Sequence, residues 1–279
     1  QIEVHPAFAR GYEGYADVLA ARGDLVGAVE SQRKVIELDP DSIAETADLI
    51  FLYVRMGALE EAAAVHRSMQ ERFAGHSVTL SMGPAIDLAK GEKTGVREAM
   101  SAALDAELSG YGAFIVATTA ALGGEFELAY QAVERTYPGG LDDPEITPEF
   151  INLWLGAMCD LSWILLETDG NKAFGQELLD ASIELYETGF HRDVRLTEQY
   201  NWSLCYMLAG QHDNALDVLE RELDNHLTGN WLWYLRTPPY DPIRENSRFV
   251  AMWAEFERRM TEQRDELRRR EKAKRGFEF

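Results

Sequence analysis

Three glycines, Gly23, Gly57 and Gly91, stand 34 residues apart, and the pairs Leu25/Leu59 and Ala28/Ala62 keep the same interval. A fixed period of that size means that each segment is one supersecondary unit, unable to bury its apolar face alone. The chain is therefore expected to fold as an array. The phrase occurs as "RGDLVGAVESQRKVIELDP" from Arg22 and as "RMGALEEAAAVHRSMQ" from Arg55. It returns as "LGGEFELAYQAVERTYP" from Leu122 and "LAGQHDNALDVLEREL" from Leu208, with Gly124 and Gly210 in the turn and Ala129 and Ala215 in the small-residue slot. A degenerate copy from Thr168 carries Gly170 in the turn and Gly175 in the slot. A small side chain at that slot lets the second helix of each unit approach its neighbours closely.

The pattern resembles the tetratricopeptide repeat (TPR), a unit of two antiparallel helices in 34 residues. In the first complete copy Tyr12, Tyr15, Ala16 and Leu19 fit the first helix, Gly23 the turn, Ala28 the second helix and Pro40 the close. In the second copy Leu49, Tyr53, Gly57, Ala62 and Met69 fit, with Ala74 replacing the closing proline. The third departs further. Pro84 falls inside its first helix and Val96 stands where a small residue belongs, so a broken or late-starting helix is expected there. The resemblance spans roughly residues 7 to 235 and implies an all-α fold: an alpha-alpha superhelix (TPR solenoid), right-handed, of about six helical hairpins with a C-terminal capping helix and no sheet.

Two stretches lengthen the period. Gly124 and Gly170 are 46 residues apart, and the surplus falls on "PGGLDDPEITPE", an inserted loop near 137–149. Gly170 and Gly210 are 40 apart, with "ETGFHRDVRLTEQ" absorbing the difference. Past about Leu223 the period stops. The chain thus divides into an array, 1–235, and a C-terminal linker with an amphipathic, basic capping helix, 236–279. In that helix Phe249, Trp253, Phe256 and Met260 form one stripe, expected to cover the exposed end of the last repeat. The run "YDPIRENSRFVAMWAEFERRMTEQRDELRR" is similar to the closing segment of TPR modules in bacterial signalling proteins, where the array follows an adenylate cyclase or winged-helix domain. That resemblance implies the sensory or interaction part of a larger regulator. The opening at Gln1 agrees with a piece of a longer chain.

A net charge of −21 and a pI near 4.7 oppose binding to phosphate backbones, so nucleic acid is not an expected partner. The most apolar run, Ile151 to Leu166, contains Asp160 and falls short of the roughly 20 apolar residues that cross a bilayer, so no direct membrane insertion is expected. Cytoplasm is the expected compartment, or periplasm if the parent protein is membrane-anchored. Cys159 and Cys205 lack CxxC spacing and are expected as buried free thiols. Signals for catalysis are isolated. "HRD" at His191 to Asp193 lacks the other kinase elements, and "KGEKTG" from Lys90 lacks the order of a phosphate-binding loop. No two of the six histidines lie four apart, and the acids Asp142, Asp143, Glu145 and Glu149 lack the ligand order of a calcium loop. The expectation is a non-catalytic chain with no cofactor and no metal.

What remains is binding. The family resemblance places first helices along a concave groove, which nominates Arg10, Glu13, Asp17, Asp48, Phe51, Val54, Met82, Tyr111, Phe114, Asp160, Ile164, Tyr200, Asn201 and Leu204. Where a carboxylate clamp carries lysines and asparagines, these places hold mostly acids and apolar residues, so a clamp is not expected. Acids and aromatics fit an apolar or basic segment of a protein or peptide partner, with Phe51, Tyr111, Phe114 and Tyr200 dominating. The alternative is a small-molecule-sensing domain that controls an attached output domain. From Arg258 to Arg275 the tail carries net +5, which leaves −26 on the rest of a chain of −21. It is expected either to solvate an outer helix face or to dock on acidic surface, of its own array or of a second copy in a homodimer.

Overall fold

A computed structural model describes residues 8–136, 146, 157–169, 171–188, 201–229 and 231–276. The inserted loop apart from Ile146, the His191–Asp193 tripeptide and Tyr200 lie outside the described residues. The described residues are mostly helical, with no strand among them. Six antiparallel hairpins follow in chain order among the described residues: α1 (Ala9–Ala21) with α2 (Leu25–Leu38), α3 (Ile43–Met56) with α4 (Leu59–Arg72), and α5 (Ser77–Lys90) with α6 (Val96–Asp105). They continue as α7 (Gly110–Gly123) with α8 (Phe126–Thr136), α9 (Met158–Glu167) with α10 (Lys172–Glu187), and α11 (Trp202–Leu208) with α12 (His212–Asp224). Each hairpin packs on the next, and one core runs the length of the stack.

Local chemistry sets the helix ends. Asp24, Ser42, Ser109 and Asn171 precede helices and accept a hydrogen bond from the backbone N–H three residues on, which satisfies a donor the helix leaves open. Ser42 is followed by Glu45, the order of a capping box. At the other end of α3, Gly57 turns into the left-handed region (φ 71°). The bonds Gly57 N–H to Val54 O and Ala58 N–H to Tyr53 O then close it as a Schellman turn. The slot alanines Ala28, Ala62, Ala129 and Ala215 are all 0% exposed. In the degenerate copy, a Cβ on Gly175 would lie 2.8 Å from Leu165 Cβ, so only glycine fits between α9 and α10.

The third unit corrects the expectation placed on it. Pro84 lies inside an unbroken α5, at the eighth of fourteen residues, with only the bond to the Leu80 carbonyl given up. The shift falls on α6 instead, which starts at Val96, five residues past its turn glycine, where α4 starts two past Gly57. Val96 fits because the residue opposite is Gly123, whose added Cβ would stand 2.5 Å from Val96 Cγ1. The small side chain has moved to the partner helix.

The cysteines also differ from expectation. Cys159 on α9 and Cys205 on α11 form a disulfide, with Cα atoms 5.2 Å apart. First helices of successive hairpins lie side by side, so stacking brings together two residues separated by 46 in sequence.

Beyond α12 come the short α13 (Trp231–Tyr234), a 3-10 turn (Pro238–Ile243) and the 30-residue α14 (Ser247–Gly276). Phe249, Phe256 and Met260 of the expected stripe are buried and Trp253 is partly so. The helix covers α12 of the last hairpin and then continues onto α2 and α3 of the first two. It therefore joins the end of the stack to its beginning.

Candidate functional site: the concave cleft and its resident arm

Asp17, Phe51, Ala85 and Thr118 each stand six residues before a turn glycine. All four line one cleft of about 350 Å³ on the first-helix side of the stack. The same spacing logic adds Glu13 one turn before Asp17 on α1, Asp48 beside Phe51 on α3, and Tyr111 and Phe114 one turn apart on α7. Asp160 enters from α9. Seven of the fourteen residues nominated for the groove thus meet there: Glu13, Asp17, Asp48, Phe51, Tyr111, Phe114 and Asp160.

Five others do not present a surface. Val54 and Leu204 are 0% exposed, and Met82 and Ile164 are likewise buried between hairpins. Their register is correct, but the helix face that points into the groove is narrower than the one that packs against neighbours. Asn201 is buried too, its Oδ1 accepting from the Ser203 hydroxyl at 3.1 Å and the Tyr240 hydroxyl at 3.0 Å. Arg10 is exposed and outside the cleft.

Sequence reasoning missed the other wall, which comes from the chain's own C-terminal arm. Trp233 lies edge-on to Phe51 with ring centroids 5.8 Å apart, and its Nε1–H donates to the Ala85 carbonyl at 2.7 Å. The Tyr234 hydroxyl donates to Asp160, and the Arg236 guanidinium donates to the Ala89 carbonyl near the end of α5. Next, Tyr240 anchors the 3-10 turn on α11 through Ser203, with hydroxyls 2.8 Å apart. Helix α14 then runs over the turns: Arg259 donates to Leu223 O at 2.6 Å, Gln263 to Gly23 O at 3.0 Å and Arg264 to Met56 O at 2.7 Å. Cations placed on carbonyls at helix C-termini are favoured by both hydrogen bonding and the helix dipole. Arg270 pairs with Glu30 at 2.9 Å, Arg268 with Glu61 at 3.7 Å, and Arg33 with Glu271. The tail thus docks on acidic side chains of its own array. A signal existed in "NWLWYL", whose five large apolar and aromatic residues are too dense for a solvated linker.

The electrostatics of the cleft follow from partial burial. Burial pushes the Asp48 carboxyl up to about 7, against the pull of the Tyr111 hydroxyl that donates to its Oδ1 at 2.8 Å. Asp160, 5% exposed, is likewise pushed up to about 7 by burial. Burial raises Asp17 as well, with Glu13 adding to the rise and Arg55 opposing it. Both tyrosine partners are raised, mainly by burial, so they stay protonated and act as donors. Among the described residues no group of three His, Cys, Asp or Glu side chains is placed to hold a metal ion. No described helix is long and apolar enough to cross a membrane. No protein-family model matches the chain, and no curated protein matches it.

Proposed function

We propose that this chain is a non-catalytic, ligand-binding module of the tetratricopeptide type, the sensory part of a larger regulatory protein, and that the concave cleft takes a small molecule. The observation that carries this reading is the resident arm. Trp233 and Tyr234 cover floor that an extended peptide would need, and the space left, about 350 Å³, lies at the low end of the range for small-molecule sites. The cleft is lined by aromatic and apolar side chains with a few convergent polar groups, the composition such sites share. Asp48 and Asp160 each accept from a tyrosine hydroxyl, which supports a positioning rather than a catalytic role for them.

A second reading, a partner protein segment in the groove, is favoured by the occupant itself. "WLWYLR", residues 231–236, is an apolar segment ending in a cation, and the row of first helices accepts it. A partner of that kind would have to displace the arm. One comparison separates the readings: thermal melting of the full chain against a small-molecule library and against a peptide of residues 229–237. A small ligand at about 100 times its dissociation constant should add about 2.7 kcal/mol of stability. Binding of the peptide alone would favour the second reading, and no response to either would make the concave surface packing only.

A further inference from the structure

We infer that the ligand of the cleft is a small organic cation, a protonated amine or quaternary ammonium group on a compact apolar body. The inference rests on the small-ligand reading above and adds the charge class.

Charge is the first argument. The lining holds four carboxyl groups, Glu13, Asp17, Asp48 and Asp160, against one guanidinium, Arg55. An anion would meet these acids at close quarters, two of them, Asp48 and Asp160, partly or wholly withdrawn from water. A neutral molecule would leave the field of these acids only partly offset, by Arg55. Asp48 is the clearest case: Oδ1 accepts from Tyr111 at 2.8 Å, and no other hydrogen bond to this carboxyl is made by the described residues. A cation beside it would restore the opposite charge that burial has removed from reach.

The walls decide between kinds of cation. Phe51, Phe114 and Trp233 line the same cleft, and a desolvated ammonium group is attracted by aromatic π-systems as well as by carboxylates. A metal ion needs several oxygen or nitrogen donors converging at about 2.0–2.6 Å. Among the described residues no such group exists, and aromatic walls offer a metal ion nothing. A cleft of about 350 Å³ also exceeds what one ion would fill, whereas it suits an ammonium head with a short apolar body.

The test uses charged probes paired with neutral molecules of like shape, titrated calorimetrically into the full chain: choline against 3,3-dimethylbutan-1-ol, and phenethylamine against 2-phenylethanol. At least one cation should bind about tenfold or more tightly than its neutral partner. Asp48→Asn keeps an acceptor for Tyr111, and Asp17→Asn changes an exposed side chain; each should erase most of that preference with the far-ultraviolet spectrum unchanged. Phe114→Ala should weaken both members of a pair. Equal affinities within each pair in the native chain, or a preference that survives both aspartate variants, would overturn the inference and leave the small-ligand reading standing. Failure of all four probes to bind also overturns it, and a hit from the library screen among neutral or anionic compounds would then show that the charge class alone was wrong.

Discussion

Asp160 is a carboxyl held almost out of water, with the Tyr234 hydroxyl as its partner. Its folded-state proton affinity is raised, to about 7 from an ordinary carboxylate near 4. The sign of the consequence is fixed: the folded state holds the proton more tightly, so the stabilisation is full below pH 4 and fades as the pH climbs to about 7. Asp48 and Glu222, the latter raised to about 8 mainly by burial, act in the same direction. Glu255, lowered to about 2 by Arg258 and Arg259, acts in the opposite one and loses its contribution only below pH 4. The melting temperature should therefore peak between about pH 4 and 6 and decline towards pH 8, and Asp160→Asn should flatten the decline, as calorimetry across that range would read. Trp233→Ala removes a buried ring and its bond to Ala85 O, and should cost about 3–5 kcal/mol in urea denaturation. The two residues differ in how far the sequence announced them. Asp160 sits on a first helix at a register shared with Glu13 and Phe114, whereas Trp233 lies past the point where the period stops. No repeat template assigns it a place.

At the scale of elements, the turn glycines were legible from their interval alone, but half of their role was not. Gly57 needs its left-handed backbone to end α3, and a Cβ there would also stand 2.7 Å from Arg264 Nη1 of α14. Gly124 has the same backbone geometry, with nothing within 4 Å. Alanine at either position carries the strain of a positive φ, about 1 kcal/mol. At Gly57 it must also push the arginine off the Met56 carbonyl, so Gly57→Ala should destabilise by about 1–2 kcal/mol more than Gly124→Ala. Thermal melts of the two variants side by side give the difference directly. Removal of residues 261–279 would take away Gln263, Arg264 and Arg270 together. It should lower stability by several kcal/mol and speed amide exchange in α2 and α3, a pattern that solvation of an outer helix face would not produce. The amphipathic stripe of α14 could be read from Phe249 to Met260. Its destination could not, because carbonyls at helix ends are acceptors that every helix offers and no side-chain pattern marks the ones chosen.

For the molecule as a whole, six hairpins and one terminal helix followed from periodicity, while the long-range closures did not. The disulfide between Cys159 and Cys205 is one of them: two cysteines 46 apart carry no motif, and only the stacking of α9 beside α11 makes them neighbours. Closing a loop of that length should stabilise by about 3–4 kcal/mol, so a reductant should lower the melting temperature, and the oxidised chain should show no thiol to alkylating reagents. The other closure is the return of α14 to the first hairpin, where Gln263 meets the Gly23 carbonyl across 240 residues. An open array can be completed unit by unit as it leaves the ribosome, each new hairpin covering the last. This chain cannot. At roughly 5–20 residues per second, the first two hairpins must persist for on the order of ten seconds or more, with the surface meant for α14 bare, before their final partner has been synthesised.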